Sequence, residues 1–213
     1  GYEADDIIGT LSRQLEMRPL GTEPELMTMI VTGDRDAFQL VTDRTHVWMP
    51  GRSKPVRTMD TEYDPDGVKK KMGVRPDQIV DLKALMGDAS DNIPGVPGIG
   101  EKTAVKLLTE FGTVEKLYQT IKDENLMIGS DKHPILRGSL LKKLAEGHEE
   151  ALLSQRLAKI DRESPVTLEL DQCRLAAYRK EEVLKIFEEL GFKSLVHQLP
   201  ADEFELEVQG ALF

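Results

Sequence analysis

Residues 27–50 read MTMIVTGDRDAFQLVTDRTHVWMP, and the fold is legible from them. The first eight, MTMIVTGD (27–34), are apolar and β-branched and end on Gly-Asp, the pattern of a buried strand. DAFQLVTD (36–43) predicts a short helix, and THVWMP (45–50) a second strand ended by Pro-Gly. Strand, helix and strand in that order imply a parallel sheet covered by helices, hence an α/β protein.

Upstream, EADDIIGTLSRQLEMR (3–18) spaces Ile7, Ile8, Leu11 and Leu15 as one helical face, with acids in the first turn where the helix dipole favours them. From Asp60 onward the strand signals stop. RPDQIVDLKALMGD (75–88) sets Ile79, Leu82, Leu85 and Met86 on one stripe behind Pro76. EKTAVKLLTEFG (101–112) carries Val105, Leu107, Leu108 and Phe111, with Gly112 as its C-cap. TVEKLYQTI (113–121) and ILRGSLLKKLAEGHEEALLSQRLAKI (135–160) continue as helix. PVTLEL (165–170) reads as a short edge strand, and KEEVLKIFEELG (180–191) as a last helix closed by Gly191. A loose acidic tail follows Pro200. The expected division is 1–74 for the α/β core, 75–199 for a helical region and 200–213 for the tail.

Composition narrows the class without naming a partner. The 213 residues are 39% hydrophobic and 31% charged, ordinary for a soluble globular protein of one sizeable domain or two small ones. No apolar run approaches the ~20 residues of a membrane span, and no secretory segment is evident. A single cysteine, Cys173, excludes an internal disulfide framework and points to a reducing cytoplasm. The net charge of −10 favours no polyanion, although local patches and bound cations outweigh the total in such contacts.

Chemistry concentrates in three acidic groups: Glu3, Asp5 and Asp6; Asp34 and Asp36; Asp88 and Asp91. Singly, each has a bland reading as helix-end acid, cap or turn residue. Jointly they sit where a strand end and helix ends can converge, and ligands of open α/β sheets bind beyond the carboxyl ends of strands. Like charges brought that close need protonation or a cation. Oxygen donors without histidine or cysteine suit Mg²⁺ or Mn²⁺ rather than zinc, and two such ions suit phosphodiester hydrolysis. The histidines, at 46, 133, 148 and 197, make no ligand pattern.

Directly after the third acidic group comes NIPGVPGIGEKTAVKLL, with Gly95, Gly98 and Gly100 between two helices. Glycine admits positive φ and close approach of a backbone to phosphate, and the helix that follows offers free N–H groups and a positive dipole end. Lys102 and Lys106 add charge on one side of it. A tight helix–helix connection without a ligand is the bland alternative.

GYEADD, TGDRDAFQLV and LMGDASDNIPGVPGIGEKTAVKLL, in that order, resemble the 5′-nuclease (flap endonuclease) family. The chain most resembles its 5′→3′ exonuclease branch, the domain at the front of bacterial DNA polymerase I, from Gly1 to about Leu199. The resemblance implies a PIN-like (Rossmann-like) core in 1–74, then a helix–three-turn–helix DNA-binding region in 75–199. Glu3, Asp5, Asp34 and Asp36 would be metal ligands, with Asp6, Asp88 and Asp91 completing or supporting the second ion's shell. The hairpin of Gly95, Val96, Gly98, Ile99 and Gly100 would meet the DNA backbone, with Lys102 near a phosphate and an optional K⁺ in the hairpin.

The family also begins with an aspartate-bearing strand and a basic helical arch ahead of the GYEADD helix. Neither is present here, and the first residue is Gly rather than Met. The expectation is therefore a core incomplete at its N-terminus, weak or inactive alone, with a polymerase domain possible beyond Phe213. Its substrate would be DNA with a 5′ end, flap or nick. The alternative is a structure-selective DNA-binding module without catalysis, and a PIN-type ribonuclease would leave the long helical half unexplained.

Overall fold

The apolar run at 27–34 does form a strand, shorter and barer than its composition implies. In the computed structural model, which describes residues 1–19, 21, 26–51, 59–129, 132–173, 178–202 and 204–205, β1 spans Thr28–Val31. Only Ile30 is buried in it, and Val31 is 66% exposed. Among the described residues the expected buried strand is thus an edge strand, first in the order β1-β2-β3, covered on one face.

β2 (Thr45–Met49) pairs parallel to β1, Ile30 opposite Val47, as the alternation predicts. The connecting helix is a 3₁₀ turn, Asp36–Leu40, which buries Ala37, Phe38 and Leu40. Strands do not stop at Asp60, however. β3 (Thr61–Tyr63) pairs antiparallel to β2 and makes the sheet mixed. Three residues are too few to show alternation, so tertiary contact forms this strand, with the Tyr63 ring 4.8 Å from that of Phe38.

α1 (Ala4–Glu16) turns an unexpected face inward. Gly9, Thr10 and Ser12 are its buried residues, while Ile7, Ile8, Leu11 and Leu15 are half-buried. A β-carbon on Gly9 would stand 2.8 Å from the Ile160 side chain, so only glycine permits this approach. Polar bonds hold the pair: Ser164 N–H donates to Thr10 Oγ1 at 3.0 Å, and Arg162 Nη2 to Glu16 Oε2 at 2.8 Å.

α2 (Pro65–Met72) was not anticipated, yet its punctuation is regular. Asp64 accepts from Gly67 N–H, Pro65 opens the first turn and Gly73 closes the helix at φ 77°. The segment 75–88 divides into a 3₁₀ turn (Pro76–Gln78) and α3 (Ile79–Met86). α3 is buried on nearly all sides and runs through the core, against α4 (Glu101–Phe111) and α7 (His148–Ala158). Gly112 ends α4 at φ 82°, as expected, and α5 is Val114–Asp123.

The long helix expected over 135–160 is broken. α6 (Gly138–Glu146) and α7 meet at Gly147, where a β-carbon would lie 2.7 Å from Val96 Cγ1. The break lets the glycine hairpin lodge against the helix junction. One core, including Phe38, Val47, Leu82, Leu85, Leu107, Leu117, Leu141 and Leu144, joins the sheet to these helices. Each such side chain contributes about 1.5–3 kcal/mol on burial.

Residues 1–166 form one compact unit and 167–213 a second. The expected strand at 165–170 is absent, and the second unit begins with a 3₁₀ turn at Leu170–Cys173. With Pro165 at its start, that stretch has no partner strand among the described residues. α8 (Lys180–Glu189) buries no described residue fully, and Gly191 follows at φ 71°. Of the acidic tail, residues 203 and 206–213 lie outside the described residues, while Glu205 pairs with Lys180 at 2.7 Å. No helix among the described residues is long and apolar enough to cross a membrane.

Candidate metal centre and nucleic-acid interface

β1 ends at Val31, and the loop beyond its carboxyl end carries Asp34 and Asp36. Asp34 N–H donates to Thr32 Oγ1 at 3.0 Å, and Asp34 Oδ1 accepts from Asp36 N–H at 2.9 Å, so the loop is built on its own polar side chains. The start of α1 adds Glu3, Asp5 and Asp6. Asp6 ties that start down, one oxygen accepting from Glu3 N–H at 3.0 Å and the other from Asp161 N–H at 2.9 Å.

The three acidic groups converge. Glu3, Asp5, Asp6, Asp34, Asp36 and Asp91 line one open cleft of about 550 Å³, with Leu157–Asp161 as its far wall. A second opening of about 590 Å³ is lined by Asp34, Asp36, Asp88, Asp91 and Lys83. Asp34, Asp36 and Asp91 belong to both, so the openings adjoin. Carboxylate oxygens of Asp36, Asp88 and Asp91 come within 4.8 Å of one another, a spacing one metal ion could bridge.

Electrostatics follow from this crowding. Burial pushes the Asp5 carboxyl up, and the charges of Asp34, Glu3, Asp6 and Asp91 push it further. Burial also raises Asp36, even against its ion pair with Lys83. Asp88 goes the other way: bonds from Lys83 and then Ser90 lower it to about 2.

Lys83 is a residue that sequence reasoning missed. Its ammonium bonds to Asp36, sits 2.7 Å from Asp88 and 3.5 Å from Asp91, and its side chain is only 7% exposed. Burial works to lower its pKa, but the bonds to Asp36 and Asp88 outweigh that and the net shift is upward. A lysine inside the apolar run IVDLKALM, five residues before Asp88, was the available signal. Lys159, on the cleft's far wall, was missed as well.

An all-oxygen donor set fits a hard divalent ion. The Lys83 ammonium already shows that the Asp36, Asp88 and Asp91 carboxylates hold a cation. Asp88 is further placed by paired backbone bonds with Ile93, of 2.9 and 2.8 Å.

Those same bonds lead into the hairpin. Val96 N–H donates to Leu85 O at 2.9 Å, and Gly95 N–H to Ser154 Oγ at 2.9 Å, anchoring the turn to α3 and α7. Val96 and Ile99 point inward and are buried. Any ligand of this turn therefore meets the exposed backbone at Gly98 and Gly100, not those side chains. Gly98 O accepts from Lys143 Nζ at 2.9 Å, and Gly100 opens α4 with no side chain to cap it. Lys102 and Lys106 are both exposed on α4.

Comparison with known proteins places the chain in a family. A family model described as "5′-3′ exonuclease, N-terminal resolvase-like domain" matches residues 1–73. A second, "5′-3′ exonuclease, C-terminal SAM fold", matches residues 74–181. DNA polymerase I of Bacillus caldotenax is 44% identical over 207 residues, 97% of this chain and 21% of that protein. DNA polymerase I of Bacillus subtilis (strain 168) is 40% identical over 213 residues, 99% of this chain and 22% of that protein. The chain thus spans about a fifth of the length of these relatives. Among solved structures, T5 5′-exonuclease with bound zinc ions superposes with a TM-score of 0.57 at 25% identity, over 76% of this chain and 51% of that one. The two models run without a gap from the first residue into α8, so this chain belongs to the 5′-3′ exonuclease family.

Proposed function

We propose that the chain is part of a metal-dependent 5′→3′ exonuclease and structure-specific flap endonuclease, acting on DNA phosphodiesters in replication and repair as the front of a DNA polymerase I. The observation that carries this reading is the meeting of seven carboxylates from three distant segments at the carboxyl end of β1. Bound there, two Mg²⁺ or Mn²⁺ ions would activate water and stabilise the leaving oxygen of the phosphodiester.

The chain's own residues have separable duties. Glu3, Asp5, Asp34 and Asp36 would hold cations on the α1 side, and Asp88 and Asp91 on the hairpin side. Asp6 keeps α1 registered against Asp161. The exposed backbone at Gly98 and Gly100, with Lys102 and Lys106, would receive duplex backbone, and the hairpin would be the place for a K⁺ ion. A division near residue 74, with an acidic tail from 200, belongs to the same reading, as does a cytoplasmic place for a protein with one free cysteine. Its partners are DNA with a 5′ end, flap or nick and a C-terminal polymerase domain.

One observation favours the second reading, a DNA-binding module without catalysis: Lys83 already neutralises part of the acid cluster. Mn²⁺ titration followed by electron paramagnetic resonance, beside 5′-flap DNA binding in EDTA, separates the two. The nuclease reading expects saturable Mn²⁺ binding that Asp34→Asn with Asp36→Asn abolishes. Flap binding in EDTA without any Mn²⁺ uptake would leave the binding module standing.

A further inference from the structure

We propose that Lys83 is an internal counter-ion that competes with a divalent cation for Asp36, Asp88 and Asp91, and leaves the carboxylates when that cation enters. The inference rests on the metal-centre reading above and adds the residue that sets its affinity. Three facts carry it. The Lys83 ammonium contacts all three carboxylates. Their oxygens come within 4.8 Å of one another, so an ion among them would lie against the ammonium and need the same lone pairs. The side chain is 7% exposed, so water screens the ammonium only weakly from a second cation beside it.

The geometry also offers an exit. The opening beside the carboxylates is bounded by Met72, Met86 and Gly87. A lysine stem can lie along methionine side chains while its ammonium reaches water. In the metal-free protein Lys83 keeps the acids gathered, and each divalent ion bound must displace it. The coupling between two ligands for one site is reciprocal, so removing one tightens the other.

The test is a Mn²⁺ titration of the full chain, read by electron paramagnetic resonance, for the unmodified protein, Lys83→Met and Lys83→Met with Asp88→Asn. Expected is about tenfold tighter uptake in Lys83→Met, within the usual range of such couplings, and loss of that gain in the double variant. Equal or weaker uptake in Lys83→Met, with circular dichroism unchanged, overturns the inference and leaves the metal centre in place. Uptake by neither protein overturns both. Should Lys83→Met not fold, ¹³C-labelled lysine NMR of the unmodified protein decides. The Lys83 ε-methylene signal is expected to move on saturation with Mg²⁺, and a signal that stays fixed overturns the competition.

Discussion

Gly95 and Gly87 meet backbone to backbone. A β-carbon on Gly95 would stand 2.2 Å from the Gly87 nitrogen, and both residues hold positive φ, 62° and 74°. This contact pins the glycine hairpin to the end of α3, one residue before Asp88. The glycine hairpin and the Asp88 end of α3 are thus one rigid corner.

Gly95→Ala breaks that corner. Overpacking and left-handed strain together should cost about 3 kcal/mol, read as a lower urea midpoint. Because Asp88 moves with Gly87, Mn²⁺ uptake should weaken in the folded fraction. An unchanged midpoint would show that the corner can relax.

Asp5→Asn should stabilise the metal-free protein. Burial and neighbouring carboxylates raise the Asp5 pKa, so its ionised form costs stability at neutral pH. That cost is full above the folded pKa and disappears as pH falls below the unfolded value. The gain in EDTA should be roughly half a kcal/mol, since the group is largely solvent-screened, and should shrink toward acid pH. Mn²⁺ affinity should fall in the same variant, and a variant less stable in EDTA would refute the crowding.

Glu16 tests the opposite sign. Burial would raise its pKa, but bonds from Thr45, Thr42 and Arg162 overcome this and the net shift is downward. Its contribution is present above the unfolded value and lost as pH falls through the folded one. Glu16→Gln should cost about 1 kcal/mol at neutral pH after allowance for partial exposure. Thermal melts across the carboxylate range should show the variant losing less stability than the parent on acidification.

Lys102→Ala should weaken flap-duplex binding severalfold and reduce the slope of log affinity against log salt by about 1, as loss of one phosphate contact requires. Fluorescence anisotropy at several salt concentrations reads both. A weaker affinity with an unchanged slope would place Lys102 away from phosphate.

Local chemistry was enough for the α/β class, the β1–β2 pairing, α4 with its Gly112 stop, and the three acidic groups. Each is written in a short window, as periodicity, a capping glycine or charge density. α2 was equally legible in Asp64, Pro65 and Gly73. β3 was not, because its three residues become a strand only where β2 offers an edge. The inward face of α1 follows from Gly9 meeting Ile160, more than a hundred residues away, and the break at Gly147 from the nearness of Val96.

The carboxylates were visible along the chain, but their meeting was not, since it depends on α1, the β1 loop and the α3 end closing on one core. Lys83 shows why. In sequence it interrupts an apolar stripe, whereas burial beside Asp36 and Asp88 makes it the cation those acids already hold. Residue type and spacing depend on neighbours in the chain, while charge compensation depends on neighbours in space.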